Sequence, residues 1–458
     1  MAIFTESPYI TALKEPFLTS RCSACFSIAS NKCPECEVMV YCNDQCRAKD
    51  ILFHKIECQA YKNCSERHRF SEAVLARMIT RAITRLSLDG GEPETDLCSN
   101  VTNSIPRRSW ADLLGHRDEI PRSERHCKDW FKTKHQFKIL FGNQFDNVDL
   151  LEIFGKILIN RFRVGIHENL LDGRVAVGWA IYLTASRFNH SCQPDLLQCS
   201  YDINMRLKLT DTNRKIPQTA LEFDQLTVSY RHQNDFRLTN AMTYVPTRRQ
   251  RREFVSFFFF NCHCTYCVHD LRNRYAESAT NRICDRCGDS LILQETYDDP
   301  KISMLTCLGR KKCLNTERIV DRVTISVMDN TEQTIDMYEE KLHEIEQLLH
   351  PESVLLLQQY EKVFFAYQKL ISQGDLNENQ HSTFVYRAIQ LGERLLQLYD
   401  IHLKQSSIYP KIFVTDVAAL YEISGEKDRA KQLYQKAINL WRFDYDNHIN
   451  YQDLNVKL

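Results

Sequence analysis

Glycine is scarce in this sequence, 13 of 458 residues, and neither a G-x-G-x-x-G nor a P-loop pattern occurs. The motifs that cradle nucleotide phosphates on backbone amides are therefore missing. Net charge is missing too: Lys plus Arg and Asp plus Glu both number 59. No overall field draws the chain to DNA or to an anionic membrane, and nucleic-acid contact would need a local patch. No apolar stretch approaches the roughly 18 residues of a bilayer-spanning helix, and Met1 to Leu18 has no basic n-region followed by a continuous apolar segment. We expect an intracellular, soluble protein.

A hydrophobic fraction of 43% supports packed cores and argues against global disorder. The length predicts two to four units, because single cores stop growing at roughly 250 to 300 residues. Nineteen cysteines in a large intracellular chain stay reduced, so their clustering in pairs points to metal.

Along the chain, Ile3 to Leu13 mixes Ile, Phe, Tyr and Thr with a proline and predicts a short strand meeting a turn. Glu72 to Leu88 has helical periodicity closed by Gly90, Gly91 and Pro93, and residues 89 to 125 read as a polar loop. Helical spacing from Phe137 to Phe162 is followed by short β-branched and aromatic runs from Gly178 to Tyr230. Arg248 to Phe260 begins as a basic helix and ends in four phenylalanines. After Cys313 there are no cysteines, and Thr331 to Leu349, Val354 to Ser372 and Thr383 to Leu403 are amphipathic helices. Tyr421, Gly425, Ala430, Tyr434 and Ala437 match one tetratricopeptide repeat.

The first cysteine group reads Cys22-x2-Cys25, Cys33-x2-Cys36, Cys42-x3-Cys46, His54-x3-Cys58. Four close pairs suit two tetrahedral zinc sites, and the metal supplies folding energy that so small a core lacks. With Tyr41 before Cys42, the spacing resembles the MYND zinc finger, in which ligand pairs interleave. That resemblance implies that Cys22, Cys25, Cys42 and Cys46 hold one ion and Cys33, Cys36, His54 and Cys58 the other.

A second constellation is split: Asn189-His190-Ser191-Cys192-Gln193-Pro194-Asp195, then Leu226-Thr227-Val228-Ser229-Tyr230, then Cys262-His263-Cys264-x2-Cys267. Each part alone is weak, but their order resembles the SET domain of protein lysine methyltransferases, whose Asn-His-Ser-Cys segment and tyrosine strand meet through a threaded pseudoknot. Such threading is rare. With the MYND finger near the start, a C-x-C-x2-C post-SET element and a helical tail, the arrangement resembles the SMYD family over nearly the whole chain.

The resemblance implies an α+β multi-domain chain. It has an N-terminal SET segment (1–18), a MYND finger (22–58), a mainly helical SET insertion (65–177), a SET core (178–247), a post-SET zinc region (248–318) and a helical tetratricopeptide-like domain (331–458). It further implies that Asn160, Ser186, Asn189, His190, Tyr230 and Phe260 bind S-adenosyl-L-methionine, that Tyr230 is the catalytic tyrosine, and that Cys192, Cys262, Cys264 and Cys267 form a third zinc site.

The implied reaction moves a methyl group from a sulfonium to a neutral lysine amine, on a histone or another protein. Orientation and desolvation dominate such a step. Burial and the neighbouring sulfonium charge both favour loss of the lysine proton, so no dedicated base is needed. Phe257 to Phe260 are read as divided between core and channel wall.

Cys284-x2-Cys287 with Cys307-x5-Cys313 is either a fourth zinc site, since Gly288 after the pair resembles a zinc ribbon knuckle, or a knuckle with free thiols. Arg248, Arg249, Arg251 and Arg252 suit either a basic patch or the charged helix that precedes the post-SET cysteines; the structural reading is preferred. Three departures from the family stand out. The sequence begins at the strand after the glycine-rich G-x-G element, Asp195 replaces asparagine, and Phe223-Asp224-Gln225 replaces Gly-Glu-Glu. The alternative function is a catalytically weak scaffold that binds proline-rich or other peptides through the finger and the helical repeats. We expect a monomer in cytoplasm and nucleus, with no membrane association and no sequence-specific nucleic-acid binding.

Overall fold

The computed structural model describes residues 3–65, 73–92, 98–99, 108–167, 174–198, 202–211, 214–215, 217, 219–230, 248–268, 279–284, 286–295, 302–307, 318–320, 335–373, 376–403 and 411–445. It divides into two compact units, Met1–Arg237 with Val255–Phe260, and Leu238–Phe254 with Asn261–Leu458.

The first unit opens with β1 (Phe4–Glu6) and β2 (Ile10–Leu13), interrupted where Pro8 cannot donate to a ladder. A small hairpin of β3 (Asn31–Lys32) and β4 (Val40–Tyr41) precedes α1 (Asp44–Asn63), and α2 (Val74–Asp89) ends on Gly90 in the left-handed region, φ 64°. Then come β5 (Cys98–Ser99), α3 (Glu124–Phe141), α4 (Leu150–Asn160), β6 (Arg161–His167), β7 (Arg174–Ile181), β8 (Asn189–His190), β9 (Leu196–Gln198), β10 (Met205–Leu209), α5 (Ala220–Asp224) and β11 (Thr227–Val228).

Strands β2, β7 and β6 form one antiparallel sheet, with Ile10 opposite Ile181 and Arg161 opposite Ile181 on its other side. A second sheet has the order β5-β1-β10-β9-β11-β8. Phe4, Ile10, Leu13, Phe154, Ile157, Val177, Ile181 and Leu183 form the core between these sheets and the helices. Beside it lies a buried ionic cluster. Arg81 on α2 pairs with Asp50 at 2.9 Å and Glu57 at 2.7 Å on α1, and Arg77 stands 3.5 Å from Glu57.

Two sequence expectations change here. The apolar spacing from Phe137 to Phe162 is two helices, because Gly142 (φ 59°) and a turn end α3 before Asp149 caps α4, and Phe162 lies in β6. Residues 89 to 125 are more than a polar loop: Trp110 and Ile120 are buried on short 3-10 turns and β5 pairs with β1. Isolated apolar residues without periodicity leave no pattern to detect.

The second unit contains most of α6 (Arg248–Ser256), then α7 (Thr265–Val268), an antiparallel sheet β12 (Ala279–Ile283), β13 (Ser290–Glu295), β14 (Ile302–Cys307) and β15 (Arg318–Val320), and five helices, α8 (Ile335–Leu348), α9 (Val354–Gln373), α10 (Glu378–Leu403), α11 (Lys411–Ile423) and α12 (Lys427–Tyr445). A turn at Gly425, φ 86°, joins α11 to α12, whose Ala430, Tyr434 and Ala437 are buried. Arg251 on α6 is buried, whereas Arg252 is exposed. Among the described residues no helix is long and apolar enough to cross a membrane.

Candidate active site and metal centres

The finger gathers its ligands in the interleaved order. The donor atoms of Cys22, Cys25, Cys42 and Cys46 all lie within 4.8 Å of one another, as do those of Cys33, Cys36, His54 and Cys58. Cys25 and Cys42 sulfurs are 3.5 Å apart, Cys33 and Cys58 sulfurs 3.9 Å, and Cys36 Sγ is 3.7 Å from His54 Nε2. Sulfurs on a tetrahedral zinc with bonds of about 2.3 Å stand about 3.8 Å apart, so both sets fit that ion.

The local chain explains the convergence. In each C-x2-C pair the next residue is left-handed, Phe26 at φ 67° and Glu37 at φ 56°, and its N–H donates to the first cysteine's carbonyl, at 2.8 and 3.0 Å. That turn brings two sulfurs to one side. Helix α1 supplies Cys46, His54 and Cys58, and its N-cap Asn43 accepts from Cys46 N–H at 3.0 Å. One rigid helix thereby serves both metal sets.

The second candidate site is built by threading. Strand β11 lies between β8 and β9, parallel to both, with Thr227 opposite Asn189 and Val228 opposite His190. The connection from β8 to β9 closes on it: Ser191 N–H donates to Val228 O and Asp195 N–H to Thr227 O, each at 3.0 Å. Asp195 accepts in return from Thr227 N (2.9 Å) and Oγ1 (2.7 Å), and pairs with Arg214. The carboxylate in place of the family's asparagine thus acts as an acceptor that pins the threaded strand.

The threading sets Tyr230 on His190. Tyr230 N–H donates to His190 Nδ1 at 3.1 Å, which leaves the proton of a neutral imidazole on Nε2, 3.4 Å from Cys192 Sγ. Tyr230 Oη donates to Phe188 O at 3.1 Å. Burial pushes this phenol up to about 12, so the hydroxyl stays neutral. Aromatic rings enclose it: Phe258 at 4.9 Å, His190 at 5.4 Å and Phe260 at 6.1 Å between centroids.

The phenylalanine run is held in a strained turn. Phe259 has φ 59°, which is costly for a bulky side chain. Its ring packs on His126 at 4.5 Å and stacks on His116 at 4.9 Å. His126 Nε2 meets Phe257 O at 2.9 Å and Nδ1 meets Ser123 Oγ at 2.6 Å. Phe258 is buried and the other three are half-buried. Nothing in the sequence signals that His116 and His126 support Phe257–Phe259, since they lie more than a hundred residues away in an unpatterned stretch.

Asn189, His190, Tyr230 and Phe260 are thus brought together. Ser186 sits in the 3-10 turn Ala185–Arg187 leading into β8, its hydroxyl on Tyr182 O at 2.6 Å, and this turn is capped by Glu6, which accepts from Thr184 and Ala185 N–H at 2.8 Å each. Asn160 ends α4, and its amide donates to Leu114 O and Lys156 O. Cys192 lies in the first unit and Cys262, Cys264 and Cys267 in the second. Cys313 is outside the described residues. The set around Tyr230 suits a sulfonium: aromatic faces and neutral oxygens attract a cation.

Comparison with known proteins agrees with this geometry. Residues 22–58 match the MYND finger family. The chain is similar to a SET and MYND domain-containing protein of Dictyostelium discoideum, 24% identical over 58% of this chain and 55% of that one. It is 26% identical to SET domain-containing protein 14 of Caenorhabditis elegans over 74% of each chain. It is also 24% identical to N-lysine methyltransferase SMYD2-B of Danio rerio over 54% of this chain and 50% of that one. The match thus spans about half the length of the Dictyostelium and Danio relatives. A MYND zinc finger ahead of a threaded Asn-His and tyrosine pair, together with these relatives, makes the chain similar to the SET and MYND domain-containing (SMYD) proteins.

Proposed function

We propose that this chain is a protein-lysine N-methyltransferase that takes its methyl group from S-adenosyl-L-methionine and modifies a lysine amine of a histone or another protein. The observation that carries the reading is the pairing of Val228 with His190, which sets Tyr230 among aromatic rings. When bound, the cofactor supplies an electrophilic methyl group on a cationic sulfur. Asn160, Ser186, Asn189, His190 and Phe260 would bind it, and Tyr230 Oη would orient the lysine nitrogen. Half-buried Phe257, Phe259 and Phe260 would exclude water and favour the neutral amine.

Titration calorimetry with S-adenosylmethionine and a methyl-transfer assay test this. Tyr230→Phe should keep cofactor binding and lower turnover at least about a hundredfold, the scale of a misplaced reacting group. No cofactor binding by the wild type at high ligand concentration would sink the proposal.

A second reading, peptide docking by the finger, is supported by Ile28, Ile51 and Leu52, which the zinc module exposes. A pull-down lost in Cys33→Ser and kept in Tyr230→Phe supports it; equal loss in both counts against it.

A further inference from the structure

The second unit contains a C-x2-C turn with the same backbone as those of the finger. Gly288, the residue after Cys284-x2-Cys287, is left-handed at φ 72°, and its N–H donates to Cys284 O at 2.8 Å. Phe26 and Glu37 do the same after Cys25 and Cys36. By contrast, Val268 after Cys264-x2-Cys267 continues a short helix. Beyond the turn, Cys284 N–H donates to Asp289 O at 2.8 Å, starting β13.

The antiparallel register of β13 with β14 then places Cys307 opposite Leu291 and returns a third thiol to the turn. Cys287 and Cys307 sulfurs stand 3.3 Å apart, all three donors lie within 4.8 Å of one another, and Cys284 and Cys307 are buried. Backbone N–H groups of Arg286 and Cys287 also point at Cys284 Sγ, as they do in a turn shaped around a thiolate. Soft thiolates at this spacing select zinc over hard divalent ions.

We infer that Cys284, Cys287 and Cys307 hold a zinc ion of their own, which fastens the sheet of the second unit. The ion's place in the fold gives it a mechanical role. Strand β12 ends at the same turn and carries α8: Thr280 bridges to Leu349, and Asn281 Nδ2 donates to Glu346 O at 3.2 Å. The metal therefore sits on the sheet against which the first helix of the helical array is laid. This inference is independent of the methyltransferase reading.

Zinc counting by elemental mass spectrometry on the full chain, purified in zinc-containing reducing buffer, tests it. Wild type should carry one zinc more per chain than either Cys284→Ser or Cys287→Ser. Equal zinc content overturns the inference. A Cys313→Ser arm tests the fourth donor: loss of the same ion assigns it to Cys313, and retention assigns it to another group.

So that a misfolded variant does not decide the outcome, wild type is also alkylated with iodoacetamide before and after chelation. Cys284, Cys287 and Cys307 should be protected together and released together. A Cys287–Cys307 cross-link, or independent modification, overturns the site. Cofactor titration of Cys284→Ser is a separate readout, whose failure in wild type as well bears on the methyltransferase reading alone.

Discussion

The main-chain N–H of Tyr230 donates to the imidazole Nδ1 of His190 at 3.1 Å, although forty residues separate them. The bond exists because Val228, two residues before the tyrosine, is paired with His190 in a parallel ladder. His190 is thus both a wall of the aromatic site and the acceptor that sets the tyrosine's backbone.

Removing that acceptor should be felt at the tyrosine. In His190→Ala the partly buried N–H of Tyr230 loses its partner, at a cost of about 1–3 kcal/mol. Methyl transfer should fall by about tenfold to a hundredfold. His190→Asn, which restores an acceptor, should recover part of it. Steady-state kinetics on both variants check this, and equal activities would show that the bond does not position Tyr230.

Gly155 on α4 has no room for a methyl group, because a Cβ there would collide with the carbonyl oxygen of Gly115. The next residue, His116, stacks on Phe259. Gly155→Ala should shift residues 115–116, loosen the phenylalanine turn and lower thermal stability by about 1–3 kcal/mol of overpacking strain. Faster hydrogen exchange at Phe258 and Phe259 N–H, compared with wild type, is the expected local signature.

Arg81 is buried between Asp50 and Glu57, with Glu57 held down at about 2, against the burial that would raise it, by Arg81 and Arg77. Arg81→Met leaves two carboxylates buried without this partner, a change that typically destabilises by about 3–5 kcal/mol. Since Glu57 lies between His54 and Cys58 on α1, the variant should also release the finger's zinc to a chelator faster. Chelator-release kinetics and a melting curve measure both effects, and an unchanged release rate would separate the ionic cluster from the metal site.

Chelation of wild type should unfold residues 22–58, because a structural zinc in a small finger contributes about 10–16 kcal/mol of folding free energy. Hydrogen exchange along α1 should rise while α9 and α10, in the other unit, stay protected. Retained protection across α1 would mean that packing against α2 suffices without the ion.

Glu6 gives the pH prediction. Burial pushes its carboxyl up to about 7 from 4.5, against the two N–H groups of Thr184 and Ala185 that it accepts from. A raised folded-state value means that the native protein holds this proton when the unfolded chain has lost it. The stability it contributes is present below about 4.5 and is lost as pH rises through about 7, by at most about 3 kcal/mol. Glu6→Gln does not titrate, so its stability relative to wild type should improve across that interval. A flat difference between pH 5 and pH 8 in melting experiments would remove the assignment.

The chain's local patterns were legible without coordinates. The spacings Cys22-x2-Cys25 through His54-x3-Cys58 point to two metal sites, because a tight turn or a helix fixes where two near neighbours point, whereas which pairs share an ion is implied only by the resemblance to the MYND finger. The periodicity of Val354 to Ser372 predicts a helix for a similar reason, and the structure has one over Val354–Gln373. The Asn189-His190 and Tyr230 segments were recognisable as a pair only through resemblance, since periodicity carries no information on partners 40 residues apart. Tertiary structure decided the rest: β11 inserted between β8 and β9, Trp110 and Ile120 buried in a segment read as a polar loop, and His116 and His126 placed under Phe257–Phe259. Those contacts depend on register and packing between distant elements, and a chain's local spacing records only what near neighbours do.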